Sequence, residues 1–262
     1  MTEIADAHPE VDVPTAEYAR LLGYPRGRTL HGLAAELADQ ARAWYRRHGR
    51  PWLYARASAS LDGASPFVRI DGVPFTAERL RARLEQSGAH GVALVAVGAG
   101  AELEEDASRR WRDEKPDEYY FFDVLGSSIV EHLILVAGAR LCAWAGTQGA
   151  VVLPHDSPGY PGWDVAEQPR LLELITRTRG TTFPAPIEAL ASGALRPRKA
   201  QLAVFGLTGH PDRVGTAIPD GPCLSCPFAP CAYRRAPARQ DAAPAGPRAI
   251  ARGGGLPDGW TP

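Results

Sequence analysis

The stretch "HDSPGYPGWDVAEQ", residues 155–168, carries two Pro-Gly pairs flanking or following a tyrosine, within a chain otherwise made of helix and strand signals. Gly159 and Gly162 allow positive φ and close approach of another group, while Pro158 and Pro161 stiffen the corner. Tyr160 and Trp163 offer flat faces that can stack on a ligand, including a sulfonium cation. Asp164 followed by Glu167 has the spacing of a capping box and starts the helix "DVAEQPRLLELI". Residue types alone leave two readings open: a ligand-binding loop and a rigid structural turn.

The elements around this corner can be read outward from it. Before it, "EYYFFDVLGSSIVEHLILVAGARLCAWAGTQG" reads as a long apolar helix, and "AVVLP" as a short strand. Asp123, Ser127 and Glu131 recur at spacing four and so share one helix face, with His132 off it. After the corner, "ALASGALRPRKAQLAVFGLTG" reads as two strands around a turn. Upstream, "TAEYARLLGYPRG" and "LHGLAAELADQARAWYRRHG" read as helices, the second stopped by Gly49. "PWLYARASAS" and "FVRIDGVPF" read as strands, with Asp71-Gly72 as a hairpin turn. "TAERLRARLEQSG" is a further helix, "GVALVAVGAG" a buried strand and "ELEEDASRRWRDE" a charged helix. The glycines of "VGAGAE" lack the full dinucleotide or P-loop signature and read as a tight strand-to-helix turn. The order is not a regular βαβα alternation, so an α+β arrangement is expected.

Composition narrows the function classes. The 262 residues suffice for a well-buried core, and a hydrophobic fraction of 45% is that of a globular protein. A net charge of −1 gives no bulk attraction to nucleic acid or to an anionic membrane. Glu131, His132 and Arg140 break the longest apolar run, so no membrane span is expected. The polar, acidic N-terminus does not read as a signal peptide, and a cytoplasmic location follows as the expectation. Residues 1–14 read as a flexible leader, 15–220 as one α+β domain, 221–235 as a cysteine segment and 236–262 as a disordered tail.

Three of the four cysteines, Cys223, Cys226 and Cys231, lie in "PCLSCPFAPC" with spacing C-x2-C-x4-C. In a reducing compartment such a cluster points to metal ligation before disulfides. Zinc and an iron–sulfur cluster both stay open, as does the fourth ligand. No nucleophile elbow, HExxH or Ser/His/Asp order is present, so no protein residue is assigned a catalytic role.

Together, "FFDVLGSSIVEHL", "SPGYPGWDVAEQ", "ALRPRKAQLAVFGLT" and "CLSCPFAPCAYR" resemble the stand-alone relatives of the vitamin B12-dependent methionine synthase activation domain, from about Glu17 to Arg235. That resemblance implies a C-shaped α+β fold with a central, mostly antiparallel sheet and flanking helices. It implies S-adenosylmethionine (SAM) binding by Glu131, His155, Pro158, Gly159 and Tyr160, and a metal at Cys223, Cys226 and Cys231. It also implies a function: reactivation of a corrinoid methyltransferase, or of a truncated methionine synthase, by reductive methylation of cob(II)alamin carried on that partner. Flavodoxin or ferredoxin would donate the electron. The alternatives are a corrinoid-protein-binding scaffold without SAM affinity and a repurposed SAM-dependent enzyme. The fused domain has an arginine five positions before the tyrosine, where this chain has His155. An arginine forks onto a carboxylate, whereas a histidine offers one donor. Arg198 and Lys199 are the cations that could compensate.

Overall fold

A computed structural model of the chain describes residues 3–25, 27–58, 61–64, 67–177 and 183–217. Its centre is a five-stranded sheet of β1 (Glu3–Asp6), β2 (Trp52–Ser58), β6 (Ala89–Gly98), β10 (Ala200–Thr208) and β7 (Val151–Val152), in that order. Every neighbouring pair is antiparallel. β6 and β10 pair from Ala200↔Gly98 to Phe205↔Ala93 and beyond, with one register shift at Leu207/Thr208. The segment expected as a loose leader thus supplies the edge strand β1, tied to β2 from Glu3↔Arg56 to Asp6↔Leu53. Arg140 also reaches Asp6 at 2.6 Å and fastens this strand to the helix beyond it.

The central strands are apolar on both faces because each face meets its own core. Side chains alternate along a strand. On one side Leu53, Ala55, Ala93, Val95, Val97, Ala203 and Phe205 meet α1 (Thr15–Leu21), α2 (Leu33–His48), α4 (Ala101–Arg112) and α5 (Pro116–Thr147). On the other, Trp52, Tyr54, Val92, Leu94, Ala96, Leu202 and Val204 meet α3 (Glu78–Gln86), α6 (Gln168–Thr176) and the small sheet of β3 (Leu61–Ala64), β4 (Phe67–Ile70) and β5 (Val73–Phe75). The β4–β5 turn forms at Asp71-Gly72, both with positive φ, as a primed turn requires. The last region folds as a short hairpin of β8 (Glu188–Ala189) with β9 (Leu195–Arg196), followed by β10 and α7 (Pro211–Ala217).

The long apolar helix is α5. It begins with Pro116, where a missing N–H costs nothing, and is buried along most of its length. It is long and apolar enough to cross a membrane, contrary to the expectation from its charged residues, yet it is the core helix of the first layer. Gly126 and Gly138 let it lie close on β10: a Cβ at Gly126 would meet Lys199 Cγ at 2.8 Å, and one at Gly138 would meet Phe205 Cε1 at 3.3 Å. The two contacts run in the same order along both elements, so α5 tracks β10 from its first residues to its middle. The "VGAGAE" glycines make the expected tight turn. Gly100 has φ 98°, and the Glu102 carboxylate accepts the Arg50 N–H beside it.

Candidate functional site

After β7 the chain continues along the free edge of β10 without forming a regular strand. Leu153 N donates to Gly206 O at 2.8 Å, and Asp156 exchanges both backbone hydrogen bonds with Val204 at 2.9 and 2.8 Å. The loop then closes on itself through Tyr160 N to Ser157 O at 3.0 Å and Gly159 N to Trp163 O at 2.9 Å. Gly159 and Gly162 have φ of 93° and 83°, which side-chain-bearing residues rarely adopt. Gly162 O also accepts the Glu78 N–H at the start of α3.

Alternate residues of this loop face opposite sides of the sheet. On the α3 side lies Asp156, 1% exposed, with Oδ2 3.0 Å from Arg83 Nη1. The same guanidinium nitrogen donates to Pro154 O at 2.9 Å and His155 O at 3.3 Å. Burial pushes the Asp156 carboxyl up from its usual range, and the Arg83 charge opposes that rise. Trp163 is buried on Phe75, and its Nε1 donates to Glu167 at 2.8 Å. Glu167 also accepts Thr76 N at 3.0 Å, so it ties the loop to β5 instead of closing the expected capping box. Asp164 still caps the 3-10 turn at Val165–Glu167 through Ala166 N.

On the α5 side the loop meets β10 and the polar face of α5. His155 Nε2 lies 3.1 Å from Tyr160 Oη, and its ring packs against Phe205 with centroids 5.3 Å apart. Gln201 Nε2 donates to Ser157 Oγ at 3.0 Å and to Tyr160 Oη at 3.3 Å. Two residues earlier, Lys199 Nζ donates to Asp123 Oδ2 at 2.8 Å and to Ser127 Oγ at 3.0 Å. These contacts set Lys199 and Gln201 between the polar face of α5 and residues 155–160, with Phe205 packed on His155. Pro158 is buried in the loop wall, Gly159 is exposed, and Tyr160 and His155 are half-buried.

Of the site residues expected from the sequence, His155, Pro158, Gly159 and Tyr160 therefore stand together. Asp123 and Ser127 share a partner as their spacing predicts. Glu131 continues the same face of α5, where its carboxylate pairs with Arg20 of α1 at 3.0 Å, and Arg20 also holds Glu17. His132 faces elsewhere and accepts Asp12 N at 3.3 Å; burial lowers its pKa. Sequence reasoning missed Gln201 and Arg83. Gln201 was legible only as a polar residue in an apolar strand, and Arg83 only as a cation on the buried side of an amphipathic helix. Cys223, Cys226 and Cys231 lie outside the described residues. Among the described residues no group of His, Cys, Asp and Glu is arranged to hold a metal.

No protein-family model matches this chain, and no curated protein does. Among solved structures it is similar to the crystal structure of the MetH reactivation domain bound to AdoHcy, with a TM-score of 0.57 at 11% identity. The match covers 80% of this chain and 78% of that one. At so low an identity the likeness speaks for the fold: this chain has the fold of the MetH reactivation domain.

Proposed function

We propose that a groove between α5 and residues 155–160 binds SAM, and that the chain reactivates a corrinoid methyltransferase by reductive methylation of cob(II)alamin. The observation that supports this most is the convergence of the Tyr160 loop, Gln201 and the polar face of α5 on one end of β10. It occurs in a fold of which one solved example is described as bound to AdoHcy, the demethylated form of SAM.

Each residue has a role of its own in this reading. The Tyr160 ring lies against the adenosyl or sulfonium part of the ligand, with its hydroxyl set by His155 and Gln201. Gly159, exposed and without a Cβ, lets the ligand approach the backbone, and buried Pro158 holds that backbone still. Glu131 faces the cationic end of the ligand. The chain itself transfers no atom; it holds the methyl sulfonium at a fixed position, which converts an encounter into a near-attack geometry. Cobalamin on the partner protein supplies the methyl acceptor when docked. A corrinoid methyltransferase or truncated methionine synthase as partner, and flavodoxin or ferredoxin as electron donor, belong to the same reading.

Calorimetric titration of SAM into the anaerobically purified chain tests it. Saturable binding at micromolar concentration is expected. Absence of binding at millimolar SAM would reject the groove assignment and favour a scaffold that binds a corrinoid protein. We further propose that Cys223, Cys226 and Cys231 ligate a metal. Cys226→Ser should lower the metal content of the purified protein, and unchanged content would place any metal elsewhere.

A further inference from the structure

Lys199 ends a row of alternating charges. The Glu104 carboxylate accepts Arg198 Nε at 2.8 Å, Arg198 Nη2 lies 3.6 Å from Asp123 Oδ1, and Asp123 Oδ2 accepts Lys199 Nζ at 2.8 Å. The row starts on α4, in a surface position where the Arg198 side chain is 52% exposed. It finishes inside the groove, where the Lys199 side chain is 13% exposed. The lysine stem is fixed as well, since it lies against Gly126 at a distance where a Cβ would collide with it. An ammonium has three N–H donors, and Asp123 and Ser127 take two of them. The other cations around the groove are committed to different tasks. Arg83 holds Asp156 on the far side of β10, and Arg20 is shared by Glu17 and Glu131.

The row carries two acids and two cations, so what Lys199 keeps for a ligand is one N–H donor on a charged group, which bonds most strongly to an anionic acceptor. Lys199 and Gln201 project to the same face of the strand about 7 Å apart, and Gln201 bonds the Tyr160 hydroxyl. A ligand whose body lies on Tyr160 therefore places its end at Lys199. We propose that Lys199 determines the specificity of the groove by taking the α-carboxylate of an adenosyl amino acid on its third donor, so that nucleosides lacking that carboxylate bind weakly. This rests on the SAM reading above and narrows it to one end of the ligand.

The test compares two ligands on the full chain: S-adenosylhomocysteine, which has the α-carboxylate, and 5′-methylthioadenosine, which lacks the amino-acid part. Lys199→Met should weaken S-adenosylhomocysteine about 10- to 100-fold, the loss of a hydrogen bond between charged groups. It should leave methylthioadenosine affinity within a factor of two or so of the unchanged chain. Lys199→Arg should keep most of the discrimination. Should the methionine variant fail to fold, Lys199→Gln removes the charge while retaining a donor for Asp123 and Ser127, and the same pattern is expected. Equal weakening of both ligands, or no change in either, would overturn the assignment while leaving SAM binding intact. A wild-type chain that binds neither ligand would reject the SAM reading itself, and this inference with it.

Discussion

The two sides of the 153–163 loop are built from one short sequence and do opposite things. The side facing α3 is sealed. Asp156 and Trp163 are buried there, and Arg83 binds one carboxylate and two backbone carbonyls. The side facing α5 is half-open, and His155, Tyr160 and Gln201 form a hydrogen-bonded set there. A loop without regular strand pairing cannot hold a ligand group in place by itself. The sealed side supplies the rigidity, and the open side presents the chemistry. The alternation that does this is the two-residue period of an extended chain, applied to residues bridged to β10 at Asp156↔Val204.

That contrast can be broken from either side. The largest effect is expected from Arg83→Met, which strands a carboxylate that is 1% exposed. Removing one partner of a buried ion pair should cost about 3–5 kcal/mol, read by urea unfolding. The double change Arg83→Met with Asp156→Leu should recover most of it, because the desolvation of both charges disappears together. A single variant as stable as the parent would show that the sealed side is not the anchor. Gly159→Ala comes next. Nothing crowds its Cβ position, but φ of 93° is unfavourable for alanine, so a loss of about 1–2 kcal/mol is expected.

Tyr160→Ala sharpens the contrast from the open side. Unfolding stability should change by less than about 1 kcal/mol, whereas SAM affinity should fall roughly tenfold or more with the lost ring contact. A large stability loss with unchanged affinity would make Tyr160 an anchor and move the ligand elsewhere. The smallest effect concerns β1, far from the loop. Burial raises the Asp6 carboxyl, but the His8 N–H and Arg140 together hold its pKa below the usual value. The folded state thus binds the proton less readily than the unfolded state. Its contribution to stability is present above the unfolded pKa and is lost as pH falls through the folded one. Asp6→Asn should therefore lower stability slightly at neutral pH and not at all below the folded pKa, which flattens the acid limb of stability against pH. An unaltered acid limb would show that Arg140 does not hold β1.

Much of the fold was legible before any tertiary information. The stop of α2 at Gly49, the Asp71-Gly72 turn and the apolar runs of β6 and β10 are local signals, and each forms as read. The loop residues His155 to Tyr160 were legible for the same reason, since glycine and proline restrict the backbone wherever they stand. Other features were not legible. Residues 3–6 pair with β2 only because that strand offers an open edge, and nothing in "EIAD" alone demands it. Glu167 has the sequence position of a capping-box acid yet binds Thr76 and Trp163, because β5 brings a backbone N–H within reach.

Arg198 and Lys199 show where the boundary lies. The sequence by itself determined that two adjacent cations precede the last long strand, that a polar triplet recurs along α5, and that a Pro-Gly corner separates them. It could not choose between the cations, because adjacent residues in extended chain point to opposite sides and sequence does not say what occupies either side. The tertiary structure made the choice. Packing α4 on one flank gives Arg198 to Glu104 near solvent, and seating Gly126 of α5 against Lys199 gives that lysine to Asp123 away from solvent. Local chemistry sets which groups a chain carries; the layers that shut around them decide which one keeps its charge away from water.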